Sequence, residues 1–169
     1  MISEHAVLGC LAQAATRGWR LMTSGSLLDG WHLVYPSCLD DFHVFLDIDE
    51  EWIYLQCPLL PCAPHPASRA ALHGFLLRAN DRMFLAKFAL LSGAAGGAAE
   101  TIALVCEAPV ESFDAGLFRL MTEAIVRYAE DFGRELRSIA LDPAVAALAA
   151  GSGDGAVADA PLAIVMEGE

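Results

Sequence analysis

Four side chains able to bind a soft or borderline cation fall within a short stretch: Cys57, Cys62 and His65 in a C-x4-C-x2-H pattern, then His73. Structural zinc takes a tetrahedral set of this kind. The spacing is irregular for a zinc knuckle, however, and the intervening Pro58-Leu59-Leu60-Pro61 is apolar and stiff. Free cysteine is most often a small buried hydrophobe, and the two cysteines are read that way ahead of a metal role. Cys10 and Cys106, inside a predicted helix and a predicted strand, follow the same rule.

Asp40, Asp41, Asp47, Asp49, Glu50 and Glu51 form a second cluster with no base among them. Hard cations accept clustered carboxylates, and on an extended chain Asp47 and Asp49 share a strand face at i and i+2. The spacing matches no EF-hand, which needs glycine at its sixth loop position and a bidentate acid at its twelfth. A solvated acidic turn between strands is the default, and no metal and no cofactor are expected.

Nucleophilic chemistry finds no local support. A cysteine or serine could pair with His5, His32, His43, His65 or His73, but there is no G-x-S-x-G elbow. Gly93, Gly96 and Gly97 lack the lysine and hydroxyl that end a phosphate-binding loop. Gly9 and Gly18 precede any strand, so there is no dinucleotide fingerprint. These absences argue against an enzyme.

The elements that hold these residues follow from periodicity. Val7, Leu8, Leu11, Ala14 and Ala15 recur at helical spacing between Ser3, a plausible N-cap, and Gly18, a plausible stop. Trp31 to Tyr35, Phe42 to Ile48 and Trp52 to Cys57 read as a three-stranded meander. After the proline-rich stretch Pro58 to Pro66, a helix places Leu72, Phe75, Leu76 and Ala79 on one face, with Pro66 or Ser68 starting it. Phe84 to Leu91 and Thr101 to Glu107 are two more strands, joined by a flexible Gly/Ala hairpin connection. A long helix capped by Ser112 carries the stripe Leu117, Leu120, Met121, Ala124, Ile125, Tyr128 and Phe132. The predicted fold is α+β, in the order αβββαββα, with an antiparallel sheet and helices.

One domain is expected, from 1 to 141, in a chain of 169 residues with 56% hydrophobic and 19% charged residues. Beyond Asp142-Pro143 the chain turns to alanine and glycine, with five acids and no base, and 142–169 is expected to be a flexible acidic tail. Within it, Pro161 to Met166 is apolar enough to dock on a sheet edge or groove of its own or a neighbouring molecule, with a frayed end as the plainer reading.

The net charge of -12 offers no basic patch to nucleic acid or an anionic membrane. No apolar run approaches the ~18 to 20 residues that span a bilayer, and no signal-peptide pattern opens the chain. Five cysteines do not suggest a secreted disulfide framework. A soluble cytoplasmic protein is expected.

Aromatic and apolar residues occupy both parities of the meander, as in Phe42, Val44, Leu46 and Ile48 against His43 and Phe45. A sheet with two apolar faces needs two covers. Three helices could supply them, but a second subunit or a client segment is the favoured cover for one face.

The element order, acidity and small size, together with Leu76-Leu77-Arg78-Ala79-Asn80 running into Phe84-Leu85-Ala86-Lys87-Phe88-Ala89-Leu90, resemble the type III secretion chaperones and their YbjN-like relatives. The resemblance covers Ser3 to Leu141 and leaves the Ala/Gly tail outside. It implies a bacterial homodimer that holds an extended segment of a client or secreted effector and needs no cofactor. By the same analogy, Leu72, Phe75, Leu76, Phe84 and Phe88 would form the dimer seam, with an intrachain core as the plainer reading. Trp31, Leu33, Tyr35, Phe42 and Val44 would meet the client. A YbjN-like subunit or regulator of a larger complex, or a small metal-dependent hydrolase, are the alternatives. High negative charge suits the chaperone role, since self-repulsion keeps an apolar groove soluble and favours basic client segments.

Overall fold

Strict alternation governs the strand Asp41–Ile48, where Phe42, Val44 and Leu46 are buried while Asp41, His43, Phe45 and Asp47 are exposed. One face of the sheet therefore meets a core and the other does not. The computed structural model describes residues 3–23, 30–38, 40–62, 65–92 and 100–151.

The elements are α1 (Glu4–Ala15), β1 (Arg20–Thr23), β2 (Trp31–Pro36), β3 (Asp41–Ile48), β4 (Trp52–Pro61), α2 (Pro66–Arg82), β5 (Ala86–Leu91), β6 (Thr101–Pro109), α3 (Ala115–Leu141) and α4 (Pro143–Gly151). All strands pair antiparallel in one six-stranded sheet of order β1-β2-β3-β4-β6-β5. The α+β class and the meander are as expected, with one more strand and one more helix.

The helices pack on a single face. Leu33, Val44, Leu55, Leu104 and Phe88 from five strands join one core with Val7 and Leu11 of α1, Leu72 and Leu76 of α2, and Met121, Ile125 and Leu136 of α3. The opposite face carries His32, His43, Phe45, Tyr54, Gln56 and Val105, and no described helix lies over it.

Several boundaries move for local reasons. Strand β1 is an addition to the expected order: its four residues, Arg20 to Thr23, show no alternation in the sequence, and Leu21 and Met22 are exposed. Strand β4 runs past Cys57 to Pro61, because a register shift between Pro58 and Leu60 places proline at a bulge, where the missing N–H is tolerated. Leu85 has φ +68, which delays β5 to Ala86. The cap of α3 is Asp114, not Ser112: its Oδ1 accepts from Leu117 N at 2.7 Å, while Ser112 sits in a preceding 3-10 turn.

The packed body also passes position 141. Helix α4 lies against α2 and α3, with Ala146 fully buried in the common core, so 143–151 belongs to the domain rather than to a tail. Alanine is the strongest helix former, and this run follows the carboxylate of Asp142, which accepts from Ala144 N at 2.8 Å. The segment 152–169, with Pro161 to Met166, and the glycines 93, 96 and 97 lie outside the described residues.

Candidate functional site

Helix α1 and the N-terminal half of α3 diverge over the sheet and leave a groove of about 300 Å3. Spacing explains why both helices present small or apolar groups there. On α1, Cys10 and Ala14 fall four apart and on one side, with Arg17 beyond the helix end; on α3, Phe118, Thr122 and Val126 do the same. Trp19 and Tyr35 close the floor, their rings 5.1 Å apart and tilted by 50°. Gly18, at φ +91, makes the turn that brings Trp19 back beneath α1.

The rim is charged. Arg119 pairs with Glu123 at 3.7 Å and Arg127 with Asp131 at 3.7 Å, each one helical turn apart and exposed. Glu130 accepts from Ser37 Oγ at 2.7 Å. Burial, and then the Asp114 carboxylate, push the Cys10 thiol upward where it lines the groove. The groove thus combines an apolar floor with a charged rim.

Next to this groove the sheet ends at β1, an edge strand whose Leu21 and Met22 are exposed. Its outer backbone groups face no strand among the described residues, the usual template for strand addition. Sequence reasoning missed both features, since the groove exists only once α1 and α3 are packed.

Of the five residues expected to meet a client, Tyr35 alone lines the groove. Trp31, Leu33, Phe42 and Val44 are buried in the core, because their parity faces the helices. Of the five expected at a dimer seam, Leu72, Phe75, Leu76 and Phe88 are likewise core, with Phe75 and Phe88 each edge-on to Phe132 at 5.9 Å. Phe84 differs: it is 69% exposed, held in the turn after α2 where its N–H donates to Tyr128 Oη at 3.0 Å. Leu77 on α2 is 72% exposed.

The metal candidates do not converge. Cys57 faces the core from β4, its thiol pushed up to about 12 by burial, Cys62 is buried beyond the end of β4, and His65 is exposed before α2. His73 Nε2 is buried with no hydrogen-bond partner among the described residues. Asp47 and Asp49 do not share a strand face, because β3 ends at Ile48. Asp49 instead closes the β3-β4 turn, accepting from Glu51 N at 2.8 Å, Trp52 N at 2.6 Å and Tyr54 Oη at 3.2 Å. Those bonds, led by the one from Trp52, hold its carboxyl below the usual range. Among the described residues no three His, Cys, Asp or Glu side chains could hold an ion together.

No protein-family model and no curated protein matches the chain. Solved structures do. A chain of the ExsC–ExsE complex aligns at TM-score 0.55 with 20% identity, over 80% of this chain and 97% of that one. YbjN from E. coli aligns at TM-score 0.51 with 10% identity, over 77% of this chain and 93% of its own. The fold is type III secretion chaperone-like and YbjN-like. The resemblance stated from the Leu-Leu-x-x-Asn segment and the element order therefore holds at the level of fold. No described helix is long and apolar enough to cross a membrane.

Proposed function

We propose that this chain is a non-enzymatic, homodimeric chaperone-like protein that holds an extended segment of a client in the α1–α3 groove. The groove carries the proposal: an apolar floor of Trp19, Tyr35, Phe118 and Val126 within a charged rim, beside an open edge strand. The shared fold supports it, since one of the similar structures was solved as a complex of two proteins. A net charge of -12 favours client segments that are basic as well as apolar.

The dimer is proposed through the exposed apolar groups around the end of α2, Leu77 and Phe84, rather than through the buried side chains of that helix. Exposed apolar side chains at a fixed turn are candidate anchors for an interface core.

Light scattering after size exclusion tests the assembly, and a labelled unfolded basic protein, reduced and carboxamidomethylated lysozyme, tests the holding. The expected results are a species at twice 18.0 kDa and saturable binding of the probe. Leu77→Asp with Phe84→Asp should give the monomer, and Val126→Asp should weaken probe binding while leaving the dimer. A monomer at every concentration, or probe binding that ignores Val126→Asp, would overturn the corresponding half.

A further inference from the structure

Helix α4 follows α3 after Asp142 and lies against it, and its Val145 and Leu148 line an open trough together with Asp131, Arg134 and Ile139. Asp131 also lines the α1–α3 groove, so the two concavities meet over the middle of α3. The chain leaves the described structure at Gly151, at the end of the helix that walls this trough. Beyond it, Leu162-Ala163-Ile164-Val165-Met166 is an unbroken apolar run with acids on both sides, Asp159 before it and Glu167 and Glu169 after it.

We propose that this chain's own segment 161–166 occupies the α1–α3 groove and competes with the client. Reach permits it: ten residues from Gly151 to Pro161 span up to ~33 Å when extended, while Phe118 to Asp131 along α3 covers only ~20 Å. The lining is balanced in charge, with Arg17, Arg119, Arg127 and Arg134 among Glu123, Glu130, Asp131 and Glu135, while the segment 152–169 holds four acids and no base. Arg17 and Arg134 make no ion pair among the described residues and can receive the acids that flank the apolar run. An intramolecular occupant also keeps the apolar floor away from solvent and from other copies until a better ligand displaces it.

The docking stands on the groove and the segment alone, while the competition rests on the client-holding function proposed above. Hydrogen exchange on the full chain separates them. Amides of 162–166 should exchange about tenfold slower or more than an unstructured peptide, independently of protein concentration. Leu162→Asp with Ile164→Asp should abolish that protection and lower the melting temperature by only about 2–4 °C, the loss of a tenfold docking equilibrium. Arg17→Glu with Arg134→Glu should weaken it, a second variant pair confined to exposed side chains.

Once the segment is released, labelled unfolded lysozyme should bind about tenfold tighter, the gain that follows when about nine-tenths of the sites were previously occupied. Exchange of 162–166 at the unstructured rate overturns the proposal. Protection that grows with protein concentration overturns it too, in favour of a second copy as host, and protection indifferent to the arginine changes overturns the choice of groove. Concentration-independent protection without any binding of the lysozyme probe, by the chain or its variants, upholds the docking and removes the client-holding function.

Discussion

Asn80 takes the place of a neighbouring strand for Phe88. Phe88 N donates to Asn80 Oδ1 at 2.7 Å, and Asn80 Nδ2 donates to Phe88 O at 3.0 Å, so one side chain on α2 satisfies both backbone groups of a residue in the edge strand β5. Lys87 Nζ reinforces the joint by donating to Asn80 O at 2.5 Å and Met83 O at 2.6 Å, at the C-terminal end of α2 where a cation is favourable. Asn80→Ala leaves a part-buried donor and acceptor unmade and should cost about 2 kcal/mol, read as a lower urea midpoint at unchanged slope. Asn80→Asp keeps the acceptor for Phe88 N but sets a carboxylate oxygen against Phe88 O, and should not recover the loss. A urea midpoint unchanged by Asn80→Ala would show that the pair contributes nothing.

That joint marks how far the sequence could be read. The Leu-Leu-x-x-Asn segment is visible in the sequence, and so is the strand Phe42 to Ile48, because each rests on local residue types and spacing alone. The face of each strand that meets the helices is not, since both parities carry apolar residues and only packing selects one. Trp31, Leu33, Phe42 and Val44 thus passed for client contacts while facing the core. Strand β1 escaped notice because four residues carry too little pattern, and the groove escaped because α1 and α3 are nearly a hundred positions apart in sequence. Helix α4 passed for a tail because its alanines suggest a helix but not a docking partner.

Gly30 has no room for a side chain. With φ at +69, a Cβ there would clash with Asp47 Oδ1 and stand 2.8 Å from Leu46 O. Gly30→Ala should therefore lower stability by about 2 kcal/mol or more, seen in a thermal melt. Adding Asp47→Ala removes one of the two clashes and should recover part of the loss. Additive losses in the double variant would show that the carboxylate does not crowd this position.

The five cysteines should separate by reactivity. Cys38 is exposed, while Cys10, Cys57, Cys62 and Cys106 are buried, and burial pushes the Cys57 and Cys106 thiols up to about 12. At pH 7.5 the thiolate fraction of those two is then below ~1 in 10,000. Ellman's reagent should titrate one thiol quickly in the native chain and all five in guanidinium. A second rapid native thiol would mean that the β4 or β6 core opens, or that α1 leaves the sheet.

His32 and His43 meet across β2 and β3 on the sheet face that no described helix covers. Nε2 of His32 lies 2.9 Å from Nδ1 of His43, a bond that needs one shared proton, and the His32 ring stacks on Phe45 at 4.6 Å and 12°. Burial, then the charge of His43, lowers the His32 pKa from its ordinary 6.5. The unfolded chain therefore takes up this proton first as the solution is acidified. Stability from this site is complete above about pH 6.5, falls as pH drops toward the lowered folded value, and levels off below it. His43→Gln removes the second charge but not the burial, so the His32 pKa should rise part of the way and the acid slope should become shallower. Imidazole titration by two-dimensional NMR reads the first effect, and urea midpoints between pH 5 and 8 read the second. A His32 that titrates at or above its ordinary value in the unmodified chain would mean that neither burial nor the neighbouring His43 charge acts on it in solution.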